Sequence, residues 1–435
     1  MKKIFVSVGL AAAGAAGLPS AIAQSVEAPA PAKVWNVSGT LRGFYDDNYQ
    51  VSHNKQGSFG FEVSPSVQAN LALQQTDIGI KYTYGMYYYV DRANHGQNPI
   101  DHTHQADLWL DHAFTERLKA TASDSFVVAQ DPKLVNGGAV TRVGGNNLAN
   151  RAKAILNADW TRQLSTSTHY GNNLFIYSDS QGTNNAGLFA GSNPSQAALL
   201  NRIEQNAGID LQWHFQPETM GFVGYTFSWV RYTGDQKVSP TPLVGPFAGV
   251  NYYSDSRDYN SHYGYVGVQH EFTPSLSGQA RGGASYVDLY NDPVSSTTSW
   301  APYADINLTY TYIPGSYVQA GFTQDINATD VAAPGANGHL TQYQQSSVFY
   351  MDITHQITSK ITGSLVSQYQ YSTYKDGQYD GSTGDSDVSV GVNLTYQINR
   401  HFSANTGYNY DELFSDIPGR SFTRNRVYLG LSANY

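Results

Sequence analysis

From residue 34 onward the hydropathy of the sequence reverses at almost every step, and no apolar run approaches the roughly 20 residues of a membrane helix. Near the end, Val427, Leu429, Leu431, Ala433 and Tyr435 alternate with Arg424, Arg426, Tyr428, Gly430, Ser432 and Asn434. The same pattern sets Val388, Val390, Val392, Leu394, Tyr396 and Ile398 against Ser389, Gly391, Asn393 and Thr395. It recurs at Ile78, Ile80, Tyr82, Tyr84 and Met86, and at Ala304, Ile306, Leu308, Tyr310 and Tyr312. A period of two belongs to a strand with one apolar and one polar face. A chain that entered a membrane this way would have to close into a barrel, because only closure pairs every backbone group in lipid.

Composition narrows the alternatives. Gly (41) and Tyr (33) each outnumber Lys plus Arg (25), cysteine is absent, and charged residues are 14%. Mean hydropathy is −0.40. A disulfide-stapled domain, a helical membrane bundle and a charged disordered chain are all excluded. At about 150 residues per domain, 435 residues would make three domains, but a single large barrel uses the same length.

Residues 1–23, MKKIFVSVGLAAAGAAGLPSAIA, read as a secretory signal peptide. Lys2 and Lys3 give the basic start, Ile4 to Leu18 the apolar stretch, and Ala21-Ile22-Ala23 the cleavage site after Ala23. Removing the two lysines takes the formal charge from −9 to −11, which leaves no basic face for nucleic acid. Residues 24–33 form a Pro/Ala-rich periplasmic linker, and residues 34–435 the barrel.

Short connections fall near Gln74-Gln75, Thr115-Glu116, Arg162-Gln163, Pro217-Glu218, Thr273-Pro274, Pro314-Gly315, Thr358-Ser359 and Asn399-Arg400. Their flanks resemble one another: LDHAFTERL, LQWHFQPETM, VQHEFTPSL, ITHQITSKI and TYQINRHFS. Longer polar segments, such as 131–150, 179–200 and 234–257, alternate with them. Short periplasmic turns alternating with long external loops predict an all-β, transmembrane, antiparallel up-and-down barrel. Eighteen strands follow when Val34–Tyr45 and Thr423–Tyr435 close it, with sixteen as the fallback. Aromatics cluster at strand ends: Tyr87 to Tyr89, Trp229 and Tyr232, Tyr252 and Tyr253, and Tyr369, Tyr371 and Tyr374 on one side. Phe114, Trp160, Phe215, Phe272, Tyr312 and Phe402 lie on the other. Two interfacial girdles are expected. His112, His214, His270, His355 and His401 flank short turns and read as polar rim residues.

At SGTLRGFYDDNY (38–49), SFGFEVSPSVQANLALQQTDIGIKYTYGMYYYVDR (58–92) and LDHAFTERLKATASDSFVVAQDP (110–132) the chain resembles a family of outer-membrane β-barrel porins of Gram-negative-type envelopes, largely uncharacterised. The resemblance is clearest over residues 34–135. It implies a pore or structural barrel in the outer membrane, set in lipid and lipopolysaccharide. Terminal Tyr435 is similar to the aromatic last residue that such barrels present to the barrel assembly machinery. The family supplies neither a substrate nor functional residues.

Sixteen to eighteen strands leave an aqueous lumen, and the inward residues decide what passes. Parity assigns Asp77, Asp107, Asp111, Asp159, Asp210, Asp305, Asp325 and Asp352 inward, against Lys81, Lys119, Arg151, Lys153, Arg281, Arg424 and Arg426. That near balance predicts weak ion selectivity, with the net negative charge residing in loops such as 375–387. Trp109, beside Asp107 and Asp111, reads either as a sugar-stacking ring or as packing against an infolded loop. Loops 179–200 and 234–257 are candidates to fold inward, and PTPLVGPFAGV in the second is apolar enough to seek a surface.

Motifs for chemistry are weak. G-x-S-x-G, a P-loop and H-E-x-x-H are absent, and Gly137-Gly138 and Gly144-Gly145 read as turns. Asp101-His102-Thr103-His104 has metal-like spacing without further ligands. Asp376, Asp380, Asp385 and Asp387 lack a complete Ca²⁺ loop. The expectation is a barrel with no cofactor and no catalytic site. Three readings stay open: a passive porin for small hydrophilic solutes, an exporter of envelope polysaccharide, or a loop-plugged structural barrel. Large porins are often trimers, so a homotrimer stays open, but a monomer is compatible with every residue discussed.

Overall fold

The computed structural model describes residues 34–130, 147–177, 194–239, 246–381 and 383–435. The signal peptide, its Ala23 site, the linker, the two glycine pairs and much of the loops 131–150 and 179–200 lie outside the described residues.

The strands are β1 (Trp35–Asp46), β2 (Ser58–Ala72), β3 (Thr76–Tyr89), β4 (Ile100–Ala113), β5 (Leu118–Ala129), β6 (Asn147–Asp159), β7 (Leu164–Ile176), β8 (Arg202–Gln216), β9 (Thr219–Tyr232), β10 (Lys237–Ser239), β11 (Tyr252–Tyr253), β12 (Tyr259–Thr273), β13 (Leu276–Leu289), β14 (Thr297–Ile313), β15 (Ser316–Asn327), β16 (Tyr343–Thr358), β17 (Ile361–Lys375), β18 (Gly384–Gln397), β19 (Phe402–Ser415) and β20 (Phe422–Asn434). All but β10 and β11 belong to one 18-stranded sheet, and those two form a small ribbon in the loop between β9 and β12. Each barrel strand pairs antiparallel with its neighbours in the chain, and β1 pairs with β20 to close the cylinder. Val37 and Tyr435 exchange backbone hydrogen bonds of 3.0 and 2.8 Å at the seam. Tyr435 stands outward at the turn-side rim between Trp35 and His401.

All eight anticipated short turns join strands, and five share one device. Thr115, Thr161, Thr273 and Thr358 accept hydrogen bonds through Oγ1 from the backbone N–H groups two and three residues on, at 2.9–3.2 Å. Asn399 does the same through Oδ1. A short polar side chain here replaces a backbone partner and pins the hairpin register. The four Thr turns thereby share a T-x-x-Leu/Ile pattern, at Thr115, Thr161, Thr273 and Thr358. In the Pro314-Gly315 turn, Pro sets φ and Gly315 adopts φ +78.

The outward face is apolar and exposed, as at Leu41, Ile80, Val223, Val266, Leu308, Val392 and Leu431. The inward face uses glycine differently. A Cβ on Gly79 would collide with Trp109, on Gly60 with Phe44, on Gly267 with Phe222, on Gly321 with Tyr350, and on Gly407 with Tyr428. Rings of one strand thus lie over glycines of the next.

Packing separates the two ends. The turn-side girdle forms as expected, with Phe114, Trp160, Phe215, Phe272 and Phe402 exposed. On the loop side only part of the expected belt faces lipid. Tyr369 and Tyr371 are exposed, whereas Tyr89, Tyr232, Tyr252 and Tyr374 are buried inside. The reason is an internal core. The short helix Gln196–Leu200, capped by Ser195, packs Leu199 and Leu200 against Phe175 of β7 and inward residues Val127, Ala129 and Ala149 of β5 and β6. Val238, Tyr252, Ala332 and Leu340 from two further loops complete it. Both candidate loops therefore contribute to the inner packing, and the segment 328–342 joins them. Phe247 of the apolar loop lies against Gly338, so part of that stretch finds its surface within the same chain.

Candidate functional site: the inner wall

The wall carries its polar side chains at three depths. Nearest the turns, Asp111, Lys119, Asn157 and Asp159 face inward and are exposed. Asp111 accepts from Thr121 Oγ1 at 2.7 Å and stands opposite Asp77. Lys119 stands opposite Asn157.

At mid-depth, cations and carboxylates interleave. Lys81 on β3 faces Asp107 on β4, and Asp107 accepts from Ser125 Oγ at 2.7 Å and Gln105 Nε2 at 2.8 Å. Trp109 lies over Gly79 between them and Asp111. Further round the wall, Asp210 accepts from Tyr265 OH at 2.6 Å, Arg281 approaches Asp305 at 3.4 Å, and Asp325 accepts from Tyr263 OH at 3.1 Å. Lys153 stands opposite Ser123 on one side and Gly171 on the other. Asp352 stands opposite Gln319.

At the loop end the same residue types become a scaffold. Arg424 donates from Nε and Nη2 to Asp46 Oδ2 at 2.9 and 2.6 Å, and both residues are buried. Arg426 stacks over Phe44 at 4.2 Å, and Arg151 over Phe175 at 5.3 Å. Arg420, fully buried, grips Asp330 with both Nη atoms at 2.9 and 3.1 Å and Asp385 at 3.1 Å. Arg257 donates to the carbonyls of Leu199 and Thr329, at 3.0 and 2.6 Å. Arg424, Arg426 and Arg151 tie neighbouring strands together, while Arg420 and Arg257 hold loop segments against the inside of the barrel.

The register also corrects the charge balance. Asp46, Glu62, Asp101, Glu204, Asp385, Asp387 and Asp411 face inward beyond the expected set, against only Arg42 and Arg202 among added strand cations. Asp385 and Asp387 were expected in an acidic external loop, but β18 starts at Gly384 and makes both part of the wall. Asp385 also accepts from Tyr374 OH at 2.5 Å, so that acidic run does not act as one group. Extending strand parity by one turn of alternation would have found Arg42, Glu62 and Glu204. Arg420 has no such signal, because it lies in an irregular segment.

His102 and His104 point outward, each receiving or donating a hydrogen bond with Tyr84 OH or Tyr82 OH at 2.7 and 2.8 Å. Among the described residues no group of three or more His, Asp or Glu side chains gathers as metal ligands. His112 and His270 pair with Thr76 and Thr219 at 2.8 Å and meet Phe114 and Phe272 edge-on at the turn-side rim.

Comparison with known proteins adds the following. Acinetobacter baumannii OccAB4 is similar over 93% of this chain and 99% of its own, with 12% identity and a TM-score of 0.41. Pseudomonas aeruginosa OccK9 (OpdG) is similar over 92% and 98%, with 11% identity and a TM-score of 0.43. The siderophore receptor PiuA from Acinetobacter baumannii is similar over 93% and 82%, with 10% identity and a TM-score of 0.47. No curated protein matches the sequence. One family model, Putative beta-barrel porin 2, matches residues 36–435, which is the whole described barrel from its first strand to its last residue. The chain accordingly belongs to the Putative beta-barrel porin 2 family, as a porin-type β-barrel of the outer membrane.

Proposed function

We propose that the barrel is a passive channel for small hydrophilic solutes, with a preference for cations. One observation carries this reading: inward polar residues of the turn-side half, among them Asp111, Lys119, Asn157 and Asp159, are exposed to solvent. The large internal apolar cluster lies at the loop end, among Val127, Phe175, Leu199, Leu200 and Leu340. A polar, solvated vestibule on the turn side therefore leads to a region occupied by loops. The additional inward carboxylates tip the wall only modestly toward cations, because Asp46, Glu62, Asp101, Glu204 and Asp385 are each paired with an arginine. The reading assigns no catalytic step and no cofactor, and it treats residues 1–23 as the export signal.

Recording current through single barrels in a planar bilayer tests this. Discrete steps with a reversal potential shifted modestly toward the cation limit are expected. A silent barrel would move the assignment to a structural role.

A second reading, passage of saccharides, draws on the rings laid over glycines. Trp109 sits on Gly79 beside Asp107 and Asp111, where a ring face and carboxylate acceptors suit the CH groups and hydroxyls of a sugar. Block of the current by added oligosaccharide separates this from an indifferent pore.

A further inference from the structure

Asp124 points toward lipid. Its register partners are Leu108 on β4 and Ala152 on β6, and Leu108 belongs to the exposed apolar face. It stands near the middle of β5, with Phe126 and Val128 on the same face toward the loop end. Its Oδ1 accepts from Asn150 Nδ2 at 2.8 Å, and Asn150 is opposite outward Phe126. The register row continues from Ala152 to Asn172 on β7 and Gln205 on β8. Ala152 lies between these groups, and on their turn side Ala120 and Ala122 of β5 and Ala154 and Ala158 of β6 share the outward face with Leu156. On β18 and β20 the equivalent outward positions are Val, Leu and Tyr.

Acyl chains offer no partner to a carboxylate or an amide at this depth. Small residues, by contrast, let a second protein surface approach closely, and amides can then bond across the gap. We propose that the outer face of β5 to β8 is an interface with a second copy of this chain. The patch suits itself: Asp124 accepts at one edge, while the amides of Asn172 and Gln205 donate at the other. A two-fold axis would bring these edges together. A strongly basic partner would find only one carboxylate to meet.

The absence of cysteine makes the test direct. Thr168→Cys places a thiol on the outward face of β7, and Val392→Cys places one on β18, half the circumference away. In outer membranes treated with a short bis-maleimide, Thr168→Cys should give a product of twice the chain mass and Val392→Cys should not. Asp124→Leu in the Thr168→Cys background should reduce that product at least fivefold while the barrel still folds, judged by its heat-dependent gel mobility. If Asp124→Leu fails to fold, the mass of the native protein in nanodiscs decides. A monomer there, no product at Thr168→Cys, or a product of any other mass would overturn the proposal.

Discussion

The two halves of each long strand obey the same alternation, yet they build different interiors. Toward the turns, inward Asp111, Lys119 and Asp159 meet solvent. Toward the loops, inward Val127, Phe175 and Ala149 are buried beneath Leu199 and Leu200, and inward Arg424 is locked to Asp46. Period two dictates which side a residue faces and nothing about what it will find there. The connections decide that. Two- to four-residue turns cannot reach the lumen, whereas loops of ten residues or more can fold back and supply a core.

The largest expected effect on this contrast comes from Arg420. Replacing it with Ala would strand Asp330 and Asp385 as buried carboxylates, a loss of about 3–5 kcal/mol. Because those contacts tie the loop segment at Asp330 to Arg420 and to the loop-end head of β18, away from the turn-side wall, the penalty should appear as release of segment 328–342. Proteolysis within 328–342 should accelerate strongly while the folded barrel keeps its gel mobility, and single-channel conductance should rise. Global unfolding instead would mean that the loop-end core also holds the cylinder together.

Leu199→Ala probes the same core without charge. Leu199 is completely buried, so its truncation should weaken the loop packing by about 2–5 kcal/mol. Hydrogen exchange at 196–200 and 332–340 should increase, with the turn-side strands unchanged.

The third test uses pH. Asp258 lies in the loop before β12, and burial pushes its carboxyl up to about 6, against the opposing hydrogen bond from Tyr232 N–H and the nearby Arg231. A raised carboxyl pKa means that the ionised form is the disfavoured one in the folded loop. Its penalty is absent below the ordinary carboxylate range, grows through pH 4–6, and is fully present at pH 7. Lowering pH from 7 to 5 should therefore tighten the segment 232–259 against proteolysis. Asp258→Asn should flatten that dependence.

This contrast also marks what the sequence could disclose. Strands, turns and closure were legible because alternation and the T-x-x-Leu/Ile turns are local signals. The interior of the loop end was not. Leu199 and Leu200 sit in a helix of five residues, too short to show a period, Val331 and Leu340 lie in irregular segments, and Arg420 in a loop resembles a solvated cation. Asp385 and Asp387 misled for a related reason: at the head of β18 they continue an acidic loop in sequence, although their backbone already belongs to the wall. At the wall itself, residues such as Lys81, Asp107 and Trp109 could be placed by parity, but the pairing of Trp109 with Gly79 required knowing the register between strands.

Smaller effects belong to the turn-side wall, where groups are solvated and each contributes little. Trp109→Ala should leave the barrel folded and weaken oligosaccharide block of the current severalfold. Unchanged block would assign the ring to packing over Gly79 alone. Lys119→Glu should have the least influence on stability, since its side chain is exposed and solvent screens its neighbours. Its effect is confined to the field in the vestibule, where the substitution changes the local charge by two units. The reversal potential in a salt gradient should move a few millivolts further toward the cation limit at low salt, and the difference should fade as salt rises, because the screening length shrinks from about 30 Å at 0.01 M to about 3 Å at 1 M. A shift that persisted at 1 M salt would mean that Lys119 sits at the narrowest point of the pathway. The constriction would then belong to the turn side, and the division between an open vestibule and a sealed loop end would have to be reversed.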